Sequence, residues 1–326
     1  MSRILVTGGD GFVGRTLCPA LLKAGHHVRI TKRQMNGDNQ NGIETVAIGN
    51  IGPETDWTWA LDNIDTVVHL AGRAHVMRET EADPLAAFRH INVDATKRLA
   101  ESAVHHGVKR LIFISSIKVN GERTTGVPFK ETDDPAPEDA YGQSKWEAEQ
   151  ALQEIACRTG LEIVILRPPL IYGPNVKGNF LTLLRACNKS LPLPLGAIHN
   201  QRSLIFVANL CDAMMCCLEH EKAAGEIFLI RDSDDISTPD LIRTIAWALK
   251  VPARLVPLPP KFLTLAGQLI GRGATVTRLT ESLTVDDGKI RTLLGWKPPH
   301  SVVEGLEQTA TWFLSHHSGA KGTRQS

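Results

Sequence analysis

The chain has 326 residues, which suits one large domain or two coupled ones and is ample for a substantial core. Apolar residues make up 42% and charged residues 22%, ordinary globular usage that excludes a fibrous or disordered chain. A net charge of +1 leaves no global electrostatic case for nucleic acid or an anionic membrane, although a local basic patch can still hold a small anion.

Met1-Ser2-Arg3 runs straight into Ile4-Leu5-Val6, with no apolar leader or cleavage pattern, so no signal peptide is expected. No stretch approaches the roughly 20 apolar residues needed to span a bilayer. The best candidate, 262–270, is short and contains Gly267 and Gln268. The six cysteines (Cys18, Cys157, Cys187, Cys211, Cys216, Cys217) show no CxxC pair and no paired metal spacing. They read as reduced, mostly buried thiols of a cytoplasmic protein, and no metal is expected.

In chain order, the first predicted strand, 4–7, runs into Thr7-Gly8-Gly9-Asp10-Gly11-Phe12-Val13-Gly14, and a helical pattern follows over 12–24. Gly8, Gly11 and Gly14 are spaced GxxGxxG between strand and helix. Glycines there allow a tight turn and close approach to a pyrophosphate, which then meets free N–H groups at the helix start. Gly25 sits just past the helix, where a left-handed residue is favoured. Strand 27–31 leads into Lys32 and Arg33, with no carboxylate until Asp38. A site for NAD usually places an acidic residue at this strand end. Lys32 and Arg33 suit a 2′-phosphate instead, so NADP(H) is expected in preference to NAD(H). Strand 45–48 precedes Asn50, placed to reach the adenine. Strand 66–70 leads into Ala71 and Gly72, which let the cofactor pass close to the backbone; His69 reads as a packed strand residue.

Helix 85–106 ends at Gly107, and strand 110–115 leads into Ser116. Open parallel sheets bind ligands outside the carboxyl ends of their strands, so Ser116 can hold a reacting oxygen, or cap a turn. Tyr141 and Lys145 stand four apart at the start of helical stretch 144–159, on one face. A tyrosine near pKa ~10 is a poor base at neutral pH, and a neighbouring ammonium favours its phenolate. The pair can then exchange a proton with a sugar hydroxyl or carbonyl. Strand 162–166 completes a strand–helix alternation that predicts an α/β, Rossmann-type doubly wound parallel sheet covered on both faces.

After Arg167 the texture changes. Prolines at 168, 169, 174, 192 and 194 punctuate a loop-rich stretch. Strands at 203–207, 226–231 and 254–256 and helices at 210–220, 238–249 and 301–313 follow. The expected division is a cofactor-binding domain over 1–167 plus about 203–230. A smaller interleaved C-terminal substrate-binding region takes 168–202 and 231–316, with a frayed tail at 317–326.

Together these residues resemble the extended short-chain dehydrogenase/reductase family, in its nucleotide-sugar epimerase/dehydratase/reductase branch, over nearly the whole chain. The resemblance rests on the glycine loop, His69-Leu70-Ala71-Gly72, Ser116 at the family's spacing before Tyr141 and Lys145, Arg167-Pro168 through Tyr172-Gly173-Pro174, and Leu294-Gly295-Trp296-Lys297-Pro298. A narrower likeness lies in the loops 113–122, 176–180, 192–196 and 202–204. There Asn120 stands where epimerases usually carry tyrosine. These loops are similar to bacterial reductases that make UDP-N-acetylquinovosamine or UDP-N-acetylfucosamine for O-antigen and related polysaccharides.

The resemblance implies a catalytic set of Ser116, Tyr141 and Lys145. It adds Phe12, Val13, Ile51, Leu70 and Pro168 to the cofactor contacts, alongside Tyr141 and Lys145. It assigns Asn179 and Arg202, with Lys177 and Arg278 behind them, to the diphosphate of a UDP-linked amino sugar that also meets Ser116. It further implies NADPH-dependent reduction of a 4-keto group, and a homodimer. Two alternatives stand beside it. One is an NAD-dependent UDP-sugar 4-epimerase, which uses the same triad but keeps and regenerates its cofactor. The other is a non-catalytic NADP(H)-binding sensor or scaffold, against which the intact triad argues.

Overall fold

The computed structural model describes residues 1–34, 42–74, 82–269 and 273–317; Asp38 and the tail beyond His317 lie outside them. Six strands come first: β1 (Arg3–Thr7), β2 (His27–Lys32), β3 (Glu44–Ala47), β4 (Thr66–His69), β5 (Arg110–Ile114) and β6 (Glu162–Arg167). β7 (Leu170–Tyr172), β8 (Leu204–Phe206) and β9 (Ile227–Leu229) follow. One seven-stranded sheet has the order β3-β2-β1-β4-β5-β6-β9, all parallel, and β7 pairs with β8 in a small parallel sheet. This is the doubly wound α/β sheet that the alternation predicts.

Both faces of the large sheet are buried, so its strands are near-continuous apolar runs. Alternation along β1 sends Ile4 and Val6 into one core and Leu5 into the other. The first core takes Leu17, Cys18 and Leu21 of helix α1 (Gly14–Lys23) and is shared with the small sheet. The second takes Leu61 of α2 (Thr58–Leu61). α3 (Pro84–Arg89) runs through a π turn, His90–Asp94, into α4 (Ala95–His105), which adds Leu99. α5 (Ala140–Thr159) adds Leu152 and Ile155.

The strand order reverses between β1 and β4. Connections leave these two neighbours in opposite directions, so a crevice opens outside their carboxyl ends. The glycine loop follows β1 and Leu70-Ala71-Gly72 follows β4, which sets both at that crevice.

The C-terminal part holds α6 (Gly178–Asn188), α7 (Val207–Glu219), α8 (Thr238–Ala248), α9 (Pro260–Leu269), α10 (Gly273–Thr280), α11 (Gly288–Leu294) and α12 (Val302–His317). Asp232, fully buried, ties this part together. Its carboxylate accepts from Tyr172 Oη at 2.8 Å, Phe206 N at 2.9 Å and Asn209 Nδ2 at 2.7 Å.

Three local expectations change. The stretch after Arg167 is not simply loop, because α6 buries Phe180, Leu184 and Cys187 at helical spacing between its flanking prolines. Residues 254–256 form only an isolated bridge, Leu193 to Leu255. α5 begins at Ala140 rather than 144, because Asp139 caps it, accepting from Gly142 N at 2.7 Å. Tyr141 therefore lies in the first turn.

α12 closes over the small sheet through Gly305, where a Cβ would meet Tyr172 Oη at 2.6 Å and Phe206 Cγ at 2.9 Å. Gly305→Ala overpacks this junction and is expected to cost about 1–3 kcal/mol in urea unfolding, despite alanine's better helix propensity.

Candidate active site

The crevice has the shape of a dinucleotide cradle. Gly8 has φ +68°, and a Cβ there would meet Ala71 N at 3.0 Å. A Cβ on Gly14 would lie 2.5 Å from the Gly9 backbone. The loop thus packs backbone on backbone, and only glycine fits. No side chain caps the start of α1; Arg15 N and Thr16 N donate to Gly11 O and Val13 O, while the Gly14 N–H has no acceptor among the described residues and can meet an anion. These residues fit a pyrophosphate-bearing cofactor. Phe12 and Val13 are half-buried at the helix start, as are Leu70 and Ala71 across the crevice.

A continuous strip runs from this loop to the triad. A Cβ on Gly72 would meet Asn92 Oδ1 at 3.0 Å and Lys145 Nζ at 3.7 Å. Asn92 is the residue that sequence reasoning missed. The π turn rotates it inward, where Oδ1 accepts from Arg73 N at 2.7 Å and Nδ2 donates to Arg73 O at 3.1 Å and Ser144 Oγ at 2.9 Å. A polar asparagine within an otherwise helical pattern, a poor helix former, is the signal that was there to read. His69 is buried between Thr7 Oγ1, at 2.6 Å, and Thr96 Oγ1, at 3.0 Å. Burial, then the charge of Lys145, pushes its imidazole down to about 3, so it stays neutral as packed structure.

The three predicted catalytic side chains converge. Ser116 follows β5, caps the 3-10 turn Ile117–Val119 by accepting from Lys118 N at 3.2 Å, and its hydroxyl lies close enough to Tyr141 to draw the phenol down. Lys145 Nζ donates to Ile114 O at 2.7 Å and sits 4.4 Å from the centre of the Phe113 ring. Burial brings the Lys145 ammonium down to about 8, against the pull of Glu149. Burial, then the Asp139 charge, pushes the Tyr141 phenol up to about 12, and the Ser116 hydroxyl draws it only part of the way back. The lowering expected from Lys145 does not prevail in this state. Behind the triad, Arg167 forms a buried pair with Glu149, and Ser115 Oγ donates to the same carboxylate. Pro168 is buried beside it, its carbonyl accepting from Ile117 N at 3.0 Å.

The outer positions are looser. Asn50 is exposed beyond β3, and Ile51 packs against the core. Arg202 Nη1 donates to Arg278 O at 2.8 Å and Glu281 O at 3.2 Å, so the two arginines are neighbours. Lys177 and Asn179 stand exposed at the start of α6, and no hydrogen bond or ion pair among the described residues joins them to the arginines. Among the described residues no group of His, Cys, Asp and Glu could hold a metal, and no helix is long and apolar enough to cross a membrane.

A crevice of this kind with a Ser–Tyr–Lys set at its mouth defines a Rossmann-fold enzyme of the extended short-chain dehydrogenase/reductase type. The chain belongs to the NAD dependent epimerase/dehydratase family, whose profile matches residues 4–230. It is 46% identical over 315 residues, 95% of each chain, to a UDP-glucose 4-epimerase of Vibrio cholerae. It is 25% identical, over 96% of each chain, to an N-acetyl-alpha-D-glucosaminyl-diphospho-ditrans,octacis-undecaprenol 4-epimerase of Escherichia coli O157:H7. The fold matches that of a UDP-glucuronic acid 4-epimerase of Bacillus cereus solved with NAD, with a TM-score of 0.78 at 23% identity over 96% of this chain and 99% of that one.

These findings correct the cofactor expectation. The family is NAD dependent and the solved relative carries NAD, so the preference for NADP(H) falls. The structure shows why the basic pair misled. Arg33 is exposed and Lys32 half-buried at the end of β2, and neither side chain has a hydrogen-bond or ion-pair partner among the described residues. A solvated basic turn is not a built phosphate pocket.

Asn92→Leu strands the Arg73 backbone and the Ser144 hydroxyl. It is expected to lower stability by about 2 kcal/mol in urea and to weaken cofactor binding measured by calorimetry.

Proposed function

We propose that the protein is an NAD-dependent 4-epimerase of UDP-hexoses. The observation that carries this reading is the 46% identity, over 95% of each chain, to the Vibrio cholerae UDP-glucose 4-epimerase. The site supports it. Tyr141 takes the proton from the sugar's 4-hydroxyl and returns it after inversion, while Ser116 holds the same oxygen. Bound NAD supplies the reversible hydride acceptor at C4. Gly8, Gly11, Phe12 and Val13 hold its pyrophosphate, with Leu70, Ala71, Gly72, Asn50, Ile51 and Pro168 along its length. Lys145 reaches its ribose. Residues 168–202 and 231–316 form the sugar-nucleotide region, with Arg202 and Arg278 toward the diphosphate and Lys177 and Asn179 at its rim.

The reductase expectation leaned on the wording of the loops 113–122, 176–180, 192–196 and 202–204, Asn120 among them, with the basic pair, now set aside, as its support. That asparagine is buried, accepting from Arg167 Nη1 at 2.9 Å and donating to Lys130 O at 2.9 Å. Its departure from the epimerase pattern has this structural use, so it is no longer an argument for reduction by itself.

Purified protein given UDP-galactose or UDP-glucose, and in parallel their N-acetyl forms, with no added cofactor, is expected to interconvert the C4 epimers without net change in reduced nicotinamide. Extraction is expected to release NAD. If no UDP-hexose is epimerised, and reduced nicotinamide is instead consumed stoichiometrically on a UDP-4-keto-6-deoxy sugar, the reductase reading takes its place. Tyr141→Phe is expected to lower kcat at least about 100-fold while retaining bound NAD.

A further inference from the structure

Lys118 has no part in the roles above. It lies in the 3-10 turn just after Ser116, and its ammonium pairs with two carboxylates, Glu122 one turn further on and Asp139 at the start of α5. Asp139 uses its two oxygens differently: Oδ1 accepts from Gly142 N at 2.7 Å to cap the helix, and Oδ2 holds Lys118. Two residues later comes Tyr141. Glu122 also reaches Arg278 Nε, at 3.5 Å.

We propose that Lys118 is a positioning residue of this site: its ammonium ties the turn that carries Ser116 to the turn that carries Tyr141, and it cancels the Asp139 charge beside the phenol. The inference rests on Tyr141 as the proton-transfer group of the proposed reaction.

The groups around the phenol explain the need. From the end of β5, the Ser116 hydroxyl favours its ionisation. From α3, Phe88 presents its ring edge-on with centroids 6.0 Å apart, while Arg89 is spent on Glu147, on the outer flank of α5. On α5 itself Lys145 donates to Ile114 O, and the carboxylate that bears on the phenol is Asp139. Although desolvation resists its ionisation, hydrogen bonds from Lys118 and Gly142 N–H hold Asp139 below the usual carboxylate range, so it is a full negative charge at neutral pH. A like charge beside the phenol opposes the phenolate, and an ammonium bound to that charge offsets the opposition. Without Lys118, Asp139 would keep only the Gly142 N–H and Glu122 only Arg278, at 3.5 Å, and no cation would sit on the charge beside the phenol. The same ion pair fixes the separation of Ser116 and Tyr141, which hydrogen-bond the same reacting oxygen.

The test uses the NAD-loaded protein and two readouts. In the pH profile of kcat for UDP-hexose interconversion, Lys118→Met is expected to move the phenol's limb to higher pH by about one unit, with kcat below the limb falling about tenfold. Lys118→Arg keeps the charge and leaves the limb in place. In the double variant Lys118→Met/Asp139→Asn the limb returns toward wild type, since asparagine still caps the helix. Asp139→Asn alone moves it to lower pH, which decides the matter if Lys118→Met does not fold. A uniform loss of kcat with the limb unmoved overturns the proposal.

The second readout needs no substrate. The chain holds two tyrosines, Tyr141 and Tyr172. Tyr172 is buried, and burial, then Asp232, pushes it far above the range of its neighbour. Carbon-13 labelling at tyrosine Cζ therefore isolates the Tyr141 titration by NMR. Lys118→Met is expected to raise it, and coincident titration in wild type and variant overturns the proposal. If the wild-type protein epimerises no UDP-hexose, the function reading fails while the NMR titration still decides the role of Lys118.

Discussion

The candidate active site hangs on one buried ion pair. Arg167 closes β6, Glu149 lies one turn beyond Lys145 on α5, and their side chains are only 4% and 3% exposed. The guanidinium meets the carboxylate through Nε and Nη2, the latter at 2.6 Å, and spends Nη1 on Asn120 Oδ1. Ser115 adds its hydroxyl to the same carboxylate. Three segments that sequence separates widely, the end of β5 with the turn after it, the first half of α5 and the end of β6, are thereby joined. Such a pair contributes little net stability against an apolar replacement, because both ions lose their water. Breaking it by removing one partner, however, costs about 3–5 kcal/mol. Its use here is placement. With Glu149 fixed, Lys145 has a negative neighbour that opposes its desolvation. The ammonium therefore stays charged at neutral pH, although burial has drawn it down to about 8.

What was legible in the chain follows from how local each signal is. The glycine loop, the strand ends and the Tyr141–Lys145 pair are encoded by neighbours within a few residues, so spacing and strand–helix context expose them. Ser116 needed one long-range idea, that parallel strands end at the ligand. Asn92 needed a π turn, which period counting reads as ordinary helix. Lys118 needed the juxtaposition of two turns 21 residues apart in sequence, visible only once Asp139 is seen as a cap that also binds an ammonium. The cofactor error has the opposite character. Lys32 and Arg33 were read from residue type alone, and type does not say whether a cation faces a pocket or water. The helix α6 was hidden by the prolines on either side of it, although its buried Phe180, Leu184 and Cys187 repeat at helical spacing.

The electrostatics also bear on which chemistry suits this site. Ionising a phenol held at about 12 at neutral pH is unfavourable by about 1.4 kcal/mol for each unit separating them. Ser116 reduces that gap, Lys118 keeps Asp139 from widening it, and Lys145 is committed to Ile114 O. The chain alone therefore leaves Tyr141 protonated, a proton donor rather than a base. Abstraction of a hydroxyl proton requires a further positive charge close by, and an oxidised nicotinamide carries one. Base strength and hydride acceptance then arrive together, with the same ligand. On the proposed reading, Tyr141 would act as a base only with an oxidised nicotinamide bound beside it. A redox-neutral inversion, which ends each turnover with its cofactor as it began, meets that condition at every cycle. A net reductase would begin each cycle with the neutral, reduced form and would call on Tyr141 only as an acid.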